Sequence, residues 1–274
     1  MKNKFYGNLK PNTLSHEADA YVEEIKLKGF SVIEKFLGEN ELSVIREKID
    51  AVYQIQEEEL SRDYLSELNE LNIARALLVY DDYFLNLIIQ DKVLEILKKI
   101  LGDYFILHTQ NSIINLPNLE HHQNAWHREF PYQNWVISQP IAINVYYCID
   151  RFSSDTGATE LIPHSHQMET LPSDAFIEKE KVTFNCPAGS VVFFDSMLVH
   201  KAGFNSSNII RRGVNHVFSA PILKQQYDFP ALLKGKYRDD PLLNRLLGYD
   251  SQVPISVVEW RKHRHTKLQS RKQK

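Results

Sequence analysis

Residues 189–200 read GSVVFFDSMLVH, and this stretch decides the fold class. It is a short run of valine, phenylalanine and leucine that begins at a glycine, a composition typical of a buried β-strand. The run ends on His200, so the end of the strand places an imidazole where a metal or a substrate can reach it. We therefore expect a β-rich fold with a chemical site at the mouth of a sheet.

Similar short runs surround this strand on both sides. Turn-forming residues such as 155–157 and 187–189 separate them, and several short strands at such spacing are typical of a sandwich or barrel. The sequence predicts a jelly roll over residues 104–222, built from the runs YFILHTQNSIINL, PIAINVYYCID, ATELIP, KVTFNCP, GSVVFFDSMLVH and GVNHVFSAPI.

The first hundred residues have a different pattern of apolar residues. In GENELSVIREKIDAVY, the apolar residues Leu42, Ile45, Ile49 and Val52 recur at spacings of three and four, which is one face of a helix. DKVLEILKKILGD predicts a second helix. We expect residues 1–103 to be largely helical and to pack on the jelly roll, so that residues 1–274 form a single domain, mainly β with helical additions.

Composition excludes several classes of function. The net charge of -3 lacks the basic excess of a nucleic-acid binder, and no apolar run is long enough to cross a membrane. The first residues lack the apolar core of a signal peptide, so a cytoplasmic location is expected.

Residues 261–274, RKHRHTKLQSRKQK, predict a disordered basic tail, with contact to an anionic partner as the alternative. Cys148 and Cys186 are predicted to be buried free thiols. Oligomeric state stays open.

The segment NAWHREFPYQNW, residues 124–135, carries the sharpest chemical signal. His127 and Glu129 are two residues apart and point to the same side of an extended strand. With His200 they supply two imidazoles and one carboxylate, the facial triad with open positions that is typical of non-haem iron(II) oxygenases. These three residues are the predicted metal ligands and catalytic residues.

A pair of arginines follows the second histidine. Arg211 and Arg212 lie eleven and twelve residues after His200, and a guanidinium is suited to bidentate capture of a carboxylate. Strand parity does not say which of the two faces the site, so both are candidates. Asn144 and Tyr146 share one side of a predicted strand that lines the pocket, although Tyr146 also suits a core position.

The order of these motifs resembles the phytanoyl-CoA dioxygenase family. The resemblance rests on WHRE, TGATELIPHSH, PAGSVVFFDSMLVHKAGFN and RRGVNHVF, together with the N-terminal GFSVIEKFLGENELSVIREKID. It implies a cupin-like double-stranded β-helix, iron(II), oxygen, and 2-oxoglutarate as co-substrate. The family's His-x-Asp, its distal His and the Arg about eleven residues later fall on His127, Glu129, His200 and Arg211.

Three positions depart from the family pattern. Glu129 stands where the family mostly has Asp, His164 stands where a turn glycine is usual, and Ala202 replaces a serine that often contacts 2-oxoglutarate. A histidine can take the left-handed conformation of that glycine only at some cost.

The function implied is hydroxylation of an unactivated C–H bond in a small molecule. The mixed aromatic and polar segment Tyr132, Gln133, Asn134 and Trp135 suits a polar metabolite such as a sugar or an amino-acid derivative. Two alternatives use the same residues: an inactive jelly-roll binding protein, and a zinc hydrolase, since zinc also accepts these ligands. A zinc hydrolase has no need of an arginine that anchors a dicarboxylate.

Overall fold

A computed structural model describes residues 7, 8, 10–130 and 136–272, and of residues 122, 267 and 270–272 it describes the backbone alone. The predicted substrate-contacting segment Tyr132–Trp135 lies outside the described residues. The helices are α1 (Glu17–Lys28), α2 (Glu39–Leu60), α3 (Arg62–Glu67), α4 (Leu77–Tyr80), α5 (Leu85–Ile88), α6 (Asp91–Leu101), α7 (Asp174–Glu180), α8 (Phe229–Leu232), α9 (Pro241–Leu246) and α10 (Val257–Lys272). The strands are β1 (Phe30–Ile33), β2 (Ile73–Arg75), β3 (Ile106–Asn115), β4 (Ala142–Cys148), β5 (Glu160–Leu161), β6 (Val182–Thr183), β7 (Val191–Asp195), β8 (His200–Lys201) and β9 (Arg211–Ser219).

Two antiparallel sheets form the β structure. The larger has the order β1-β7-β4-β9-β3-β2, and the smaller has the order β6-β5-β8. A β-bridge between His127 and His200 adds the segment around His127 beside β8. This arrangement is compatible with the predicted jelly roll. Helices hold more residues than strands, however, so the description "mainly β" is corrected to a mixed fold with two antiparallel sheets.

The helices of the first hundred residues cover the larger sheet and its edges. Leu42, Ile45, Ile49 and Val52 on α2 are all buried, which confirms the apolar face predicted from their spacing. Helix α1 packs against β1 and α6, and α2 packs against β2. The edge strands β1 and β2 are therefore covered by helices rather than left open to pair with another chain.

The chain divides into two compact units, Met1–Tyr227 and Asp228–Lys274. The first contains both sheets, and the second contains α8, α9 and α10. The assignment of all 274 residues to a single domain stays a prediction. Cys148 and Cys186, both in the first unit, are buried free thiols, as predicted.

The basic C-terminal stretch is helical, which differs from the disordered tail predicted for residues 261–274. The hydroxyl of Ser256 accepts a hydrogen bond from the backbone N–H of Glu259, and the carboxylate of Glu259 accepts one from the N–H of Ile255. This reciprocal arrangement satisfies donors at the helix start, and lysine, arginine and glutamine have good helix propensity. Among the helices described, none combines the length and the hydrophobicity needed to cross a bilayer.

Candidate active site

A cavity of about 890 Å³ opens between the two sheets of the first unit. Five of the seven residues predicted to form the site line it, namely His127, Glu129, Tyr146, His200 and Arg211. They come from β4, β8, β9 and the segment that pairs with β8. The fold thus brings together side chains that are up to 84 residues apart in sequence, from 127 to 211.

The two histidines are held together by their backbones. The N–H of His127 donates to the carbonyl of His200 at 3.0 Å, and the N–H of His200 donates to the carbonyl of His127 at 2.9 Å. This register puts the two imidazole rings 4.4 Å apart between centroids. The fold thus places side by side two of the three residues that the sequence proposed as metal ligands.

Both imidazoles are oriented by the same kind of contact. The Nδ1 atom of His127 lies 2.8 Å from the carbonyl of Ala125, and that of His200 lies 2.9 Å from the carbonyl of Leu198. A carbonyl can only accept, so in each contact Nδ1 carries the proton and donates it. Metal-binding histidines are commonly oriented in this way.

Burial, and then the neighbouring His127, lower the pKa of His200 to about 3. The ring is therefore neutral at physiological pH, and a neutral imidazole is the form that binds metal ions. The donor chemistry of the two histidines fits a first-row transition metal.

Glu129 lines the same cavity, and its carboxylate is hydrogen-bonded to a residue outside the cavity lining. The Nδ2 atom of Asn144 donates to its Oε2 atom at 2.8 Å. Asn144 is fully buried and is itself fixed by Asn215, whose Oδ1 lies at 3.1 Å, and by the hydroxyl of Ser196 at 2.6 Å. Asn144 does not line the cavity. Asn144 therefore supports the carboxylate of Glu129 from a position outside the cavity lining.

Within the part of the chain that the structure describes, no three histidine, cysteine, aspartate or glutamate side chains are grouped closely enough to hold a metal ion. The two imidazoles suit a metal ion, because they are adjacent and each is oriented by a hydrogen bond at Nδ1. Glu129 shares their cavity, with its carboxylate bonded to Asn144. The structure therefore brings two histidines together in a cavity that Glu129 also lines.

Arg211 is a buried cation. Only 1% of its surface is exposed, and it donates to the carbonyl of Gly157 at 2.9 Å and to the hydroxyl of Tyr146 at 3.3 Å. Its guanidinium stacks on the ring of Phe152 at 4.6 Å, and its Nε atom has no hydrogen-bond partner among the described residues. No acidic side chain among those residues pairs with it. A buried guanidinium without a carboxylate is typical of a site that receives an anion.

Arg212 points the other way. It forms ion pairs with Asp50 at 2.8 Å and Asp150 at 3.1 Å, and it does not line the cavity. Neighbouring residues on a strand face opposite sides, so only one of the two arginines can reach the cavity. The choice that the sequence left open is therefore resolved in geometry: Arg211 faces the site, and Arg212 faces away.

Gly213 makes room for Tyr146. A Cβ atom at this position would lie 2.3 Å from Cε1 and 2.7 Å from the hydroxyl of the tyrosine. The glycine leaves room for the ring beside β9, where its hydroxyl accepts a hydrogen bond from Arg211. Tyr146 thus helps to position the guanidinium rather than filling the core alone.

Comparison with known proteins identifies the family. Residues 25–213 match the family described as Phytanoyl-CoA dioxygenase (PhyH). The chain belongs to the phytanoyl-CoA dioxygenase family.

Similar proteins occur in bacteria and in a fungus. The chain is 34% identical over 254 residues to the uncharacterised protein Rv1501 of Mycobacterium tuberculosis and, to the same extent, to the uncharacterised protein Mb1539 of Mycobacterium bovis. Each match covers 88% of this chain and 90% of the relative. Dioxygenase af480 of Aspergillus fumigatus is 28% identical over 178 residues, which cover 61% of this chain and 55% of that protein. Together with the family match, these findings support an oxygenase.

In this phytanoyl-CoA dioxygenase family member, two sequence departures have visible consequences. His164 adopts φ 65° and ψ −4°, the left-handed conformation expected where a glycine is usual, and its Nδ1 lies 2.6 Å from the carbonyl of Leu27. Ala202 lines the cavity, where a serine would add a hydroxyl.

Asn215 and His108 are polar residues of the cavity that the sequence analysis did not single out. Asn215 lies two positions beyond Gly213 on β9, so strand alternation from Arg211 was the signal that could have found it. His108 also lines the cavity, and no regular pattern indicates it, because β3 is irregular at this point.

Proposed function

We propose that this protein is an iron(II)- and 2-oxoglutarate-dependent dioxygenase that hydroxylates an unactivated C–H bond of a small polar metabolite. The observation that carries the proposal is Arg211, a buried guanidinium with no acidic partner among the described residues, in the same cavity as two adjacent imidazoles. A dicarboxylate that reaches both features would satisfy the cation at one end and a metal at the other.

His127 and His200 would hold iron through Nε2, with Glu129 as the third ligand. Iron(II), when bound, supplies the activation of oxygen that couples decarboxylation of 2-oxoglutarate to substrate oxidation. In that reaction one oxygen atom enters succinate and the other enters the new hydroxyl group, and carbon dioxide is released. Asn144 orients the Glu129 carboxylate through the 2.8 Å hydrogen bond.

Arg211 would bind the distal carboxylate of 2-oxoglutarate. Two of its nitrogen atoms are already fixed by Gly157 and Tyr146, and Nε is left without a partner among the described residues, so little side-chain entropy is lost when the anion binds. Phe152 and Phe194 provide apolar surface around the site and help to exclude water. Exclusion of water strengthens the ionic contact.

A catalytically inactive binding protein is the second candidate. Two facts about Glu129 favour it. Its carboxylate is hydrogen-bonded to Asn144, and among the described residues it belongs to no group of three side chains that could hold a metal ion. The two candidates share the fold and the cavity, and they separate on turnover.

The test is turnover of 2-oxoglutarate. Metal-free protein would be reconstituted with iron(II) in air, and oxygen consumption and succinate formation would be followed with and without added polar metabolites. The proposal predicts succinate formation that requires iron(II) and is lost with zinc(II). Binding of iron(II) without any release of succinate would favour the binding protein, and zinc-dependent ester or amide hydrolysis would favour a hydrolase.

A further inference from the structure

One buried side chain of the cavity takes no part in the proposed chemistry. His108 lies on β3 and lines the cavity with only 8% of its surface exposed. Its Nδ1 atom has no hydrogen-bond partner among the residues that the structure describes. An unpaired buried polar atom costs free energy, so a ring that has no partner of its own and lines a cavity gains from a polar ligand in that cavity.

An irregularity of β3 turns this side chain toward the cavity. The pairing of β3 with β9 shifts its register between Leu107 and Thr109, so His108 is the extra residue. Asn111 and Ile113 share one face of the strand and line the cavity, and on a regular strand His108 would face the other side. A β-bulge re-aims side chains and is common next to active sites.

Other polar groups of the same wall are already paired. Glu70 and Arg75 form an ion pair at 2.5 Å, and the side-chain amide of Asn111 lies 3.0 Å from the hydroxyl of Tyr227. These groups satisfy one another without a ligand. His108 differs from them because it is buried and its Nδ1 is unpaired.

The imidazole lies beside the segment that carries the candidate metal ligands. Its ring meets that of Phe130 edge to face, with centroids 5.4 Å apart and planes at 85°. Phe130 directly follows Glu129 in the chain. His108 is therefore placed to contact a molecule that lies in the cavity next to the metal centre.

Burial lowers the pKa of His108 to about 4, so the ring is neutral at physiological pH. A neutral imidazole offers one donor and one acceptor. A hydroxyl group also donates and accepts, so it can pair with the ring in either tautomer, whereas a carboxylate can pair only with a ring nitrogen that carries the proton. A hydroxyl group on a ligand therefore complements this imidazole whichever nitrogen holds the proton.

We propose that His108 binds a hydroxyl group of the substrate and thereby selects a hydroxyl-bearing metabolite. This inference rests on the proposed oxygenase function, because the bound molecule is taken to be the one that is oxidised. It names the substrate class that the cavity recognises.

The experiment compares His108→Leu, which removes both ring nitrogens, with His108→Asn, which keeps a donor and an acceptor. His166→Leu is the matched control, because His166 is a buried histidine outside the cavity. Each protein would first be titrated with iron(II) and 2-oxoglutarate without oxygen, where the visible band of the chelate reports an intact centre. All four proteins are expected to form the band.

Substrate-stimulated succinate formation is then measured with methyl α-D-glucopyranoside, myo-inositol and L-homoserine. The matched probes without the hydroxyl are the monodeoxy glucopyranosides and L-2-aminobutyrate. We expect at least one hydroxylated probe to stimulate the wild type and the His166→Leu control, and its deoxy partner to stimulate them less. In His108→Leu the half-saturating concentration should rise about tenfold or more, with partial recovery in His108→Asn.

The outcomes separate this inference from the proposed function. If the wild type forms no chelate band, the proposed function fails. If the band forms but no hydroxylated probe stimulates succinate release, or if a probe stimulates His108→Leu as well as the wild type, the role of His108 is overturned while the oxygenase centre stands.

Discussion

Arg211 and Arg212 are chemically identical neighbours on β9, and the protein treats them in opposite ways. Arg212, on the outer face of the strand, is neutralised by Asp50 and Asp150. Arg211, on the cavity face, is buried, stacks on Phe152 and has no acidic partner among the described residues. A protein that pairs the partly buried guanidinium with two acids and leaves the fully buried one without an acid reserves the second for an anion that arrives from solution.

The same contrast applies to the two faces around the cavity. Groups on the outer face complete their interactions within the chain. On the cavity face, the imidazoles of His127 and His200 line the cavity and are oriented by backbone carbonyls at Nδ1. The difference indicates that the cavity face is arranged for ligands and the outer face for stability.

The largest effect is expected at the histidine pair. His200→Ala should abolish stoichiometric iron(II) binding, because a single imidazole and a carboxylate make a weak site. His166→Ala, a buried histidine outside the cavity, serves as the control and should bind iron(II) like the wild type. Metal content after anaerobic reconstitution measures both. Full iron occupancy in His200→Ala would remove this histidine from the proposed centre.

The arginine pair gives the next effect. Arg211→Ala should raise the concentration of 2-oxoglutarate required for half saturation by about tenfold to a hundredfold, the size expected when charge-assisted hydrogen bonds are lost. Arg212→Ala should leave that concentration nearly unchanged. It should instead lower the free energy of unfolding by about 1 kcal/mol, because its ion pairs are only partly buried. The reverse pattern would show that the cavity face was assigned to the wrong arginine.

Gly213 tests how closely the cavity face is packed. Gly213→Ala places a methyl group 2.3 Å from the ring of Tyr146, and the resulting overpacking should cost roughly 1–3 kcal/mol of the free energy of unfolding. The double variant with Tyr146→Ala removes the clash, so its loss should be smaller than the sum of the two single losses. Chemical denaturation measures all four proteins. Additive losses would mean that the two residues do not press on each other.

The smallest effect concerns Asp195, a buried acid. Burial raises the pKa of Asp195 to about 6, so the folded state holds its proton more tightly than the unfolded state does. Stability from this group is complete below about pH 4 and is lost as the pH rises through about 6. Asp195→Asn should therefore match the wild type at pH 4 and exceed it by roughly 1–2 kcal/mol at pH 7. Urea denaturation at both pH values measures the difference, and equal stability at pH 7 would contradict the burial of a charge there.

Much of the site follows from the sequence because its information is local. The spacing of His127 and Glu129 and the histidine at the end of a strand-like run are both visible in the sequence, and the structure brings the two histidines into one backbone bridge. The choice between Arg211 and Arg212 is different. It depends on Asp50 and Asp150, which lie far away in sequence, so no local pattern could decide it.

Two further features could not be predicted from a pattern of residues, and a third was overlooked. The bulge at His108 has no sequence signature, since it is set by the pairing of β3 with β9. Helices of four residues, such as α4 and α5, are too short for a periodic signal, which is one reason for underestimating the helical content. The C-terminal helix could have been found from the Ser256-x-x-Glu259 pattern at its start.

The central claim is that the two imidazoles, Glu129 and Arg211 together bind iron(II) and 2-oxoglutarate in one cavity. The most direct test is an anaerobic titration of the purified protein with iron(II) and then 2-oxoglutarate, followed by visible absorption. A weak charge-transfer band that appears only with both components and saturates at one equivalent of each is the predicted result. Folded protein that takes up the metal but never develops the band, at any concentration of 2-oxoglutarate, would contradict the claim.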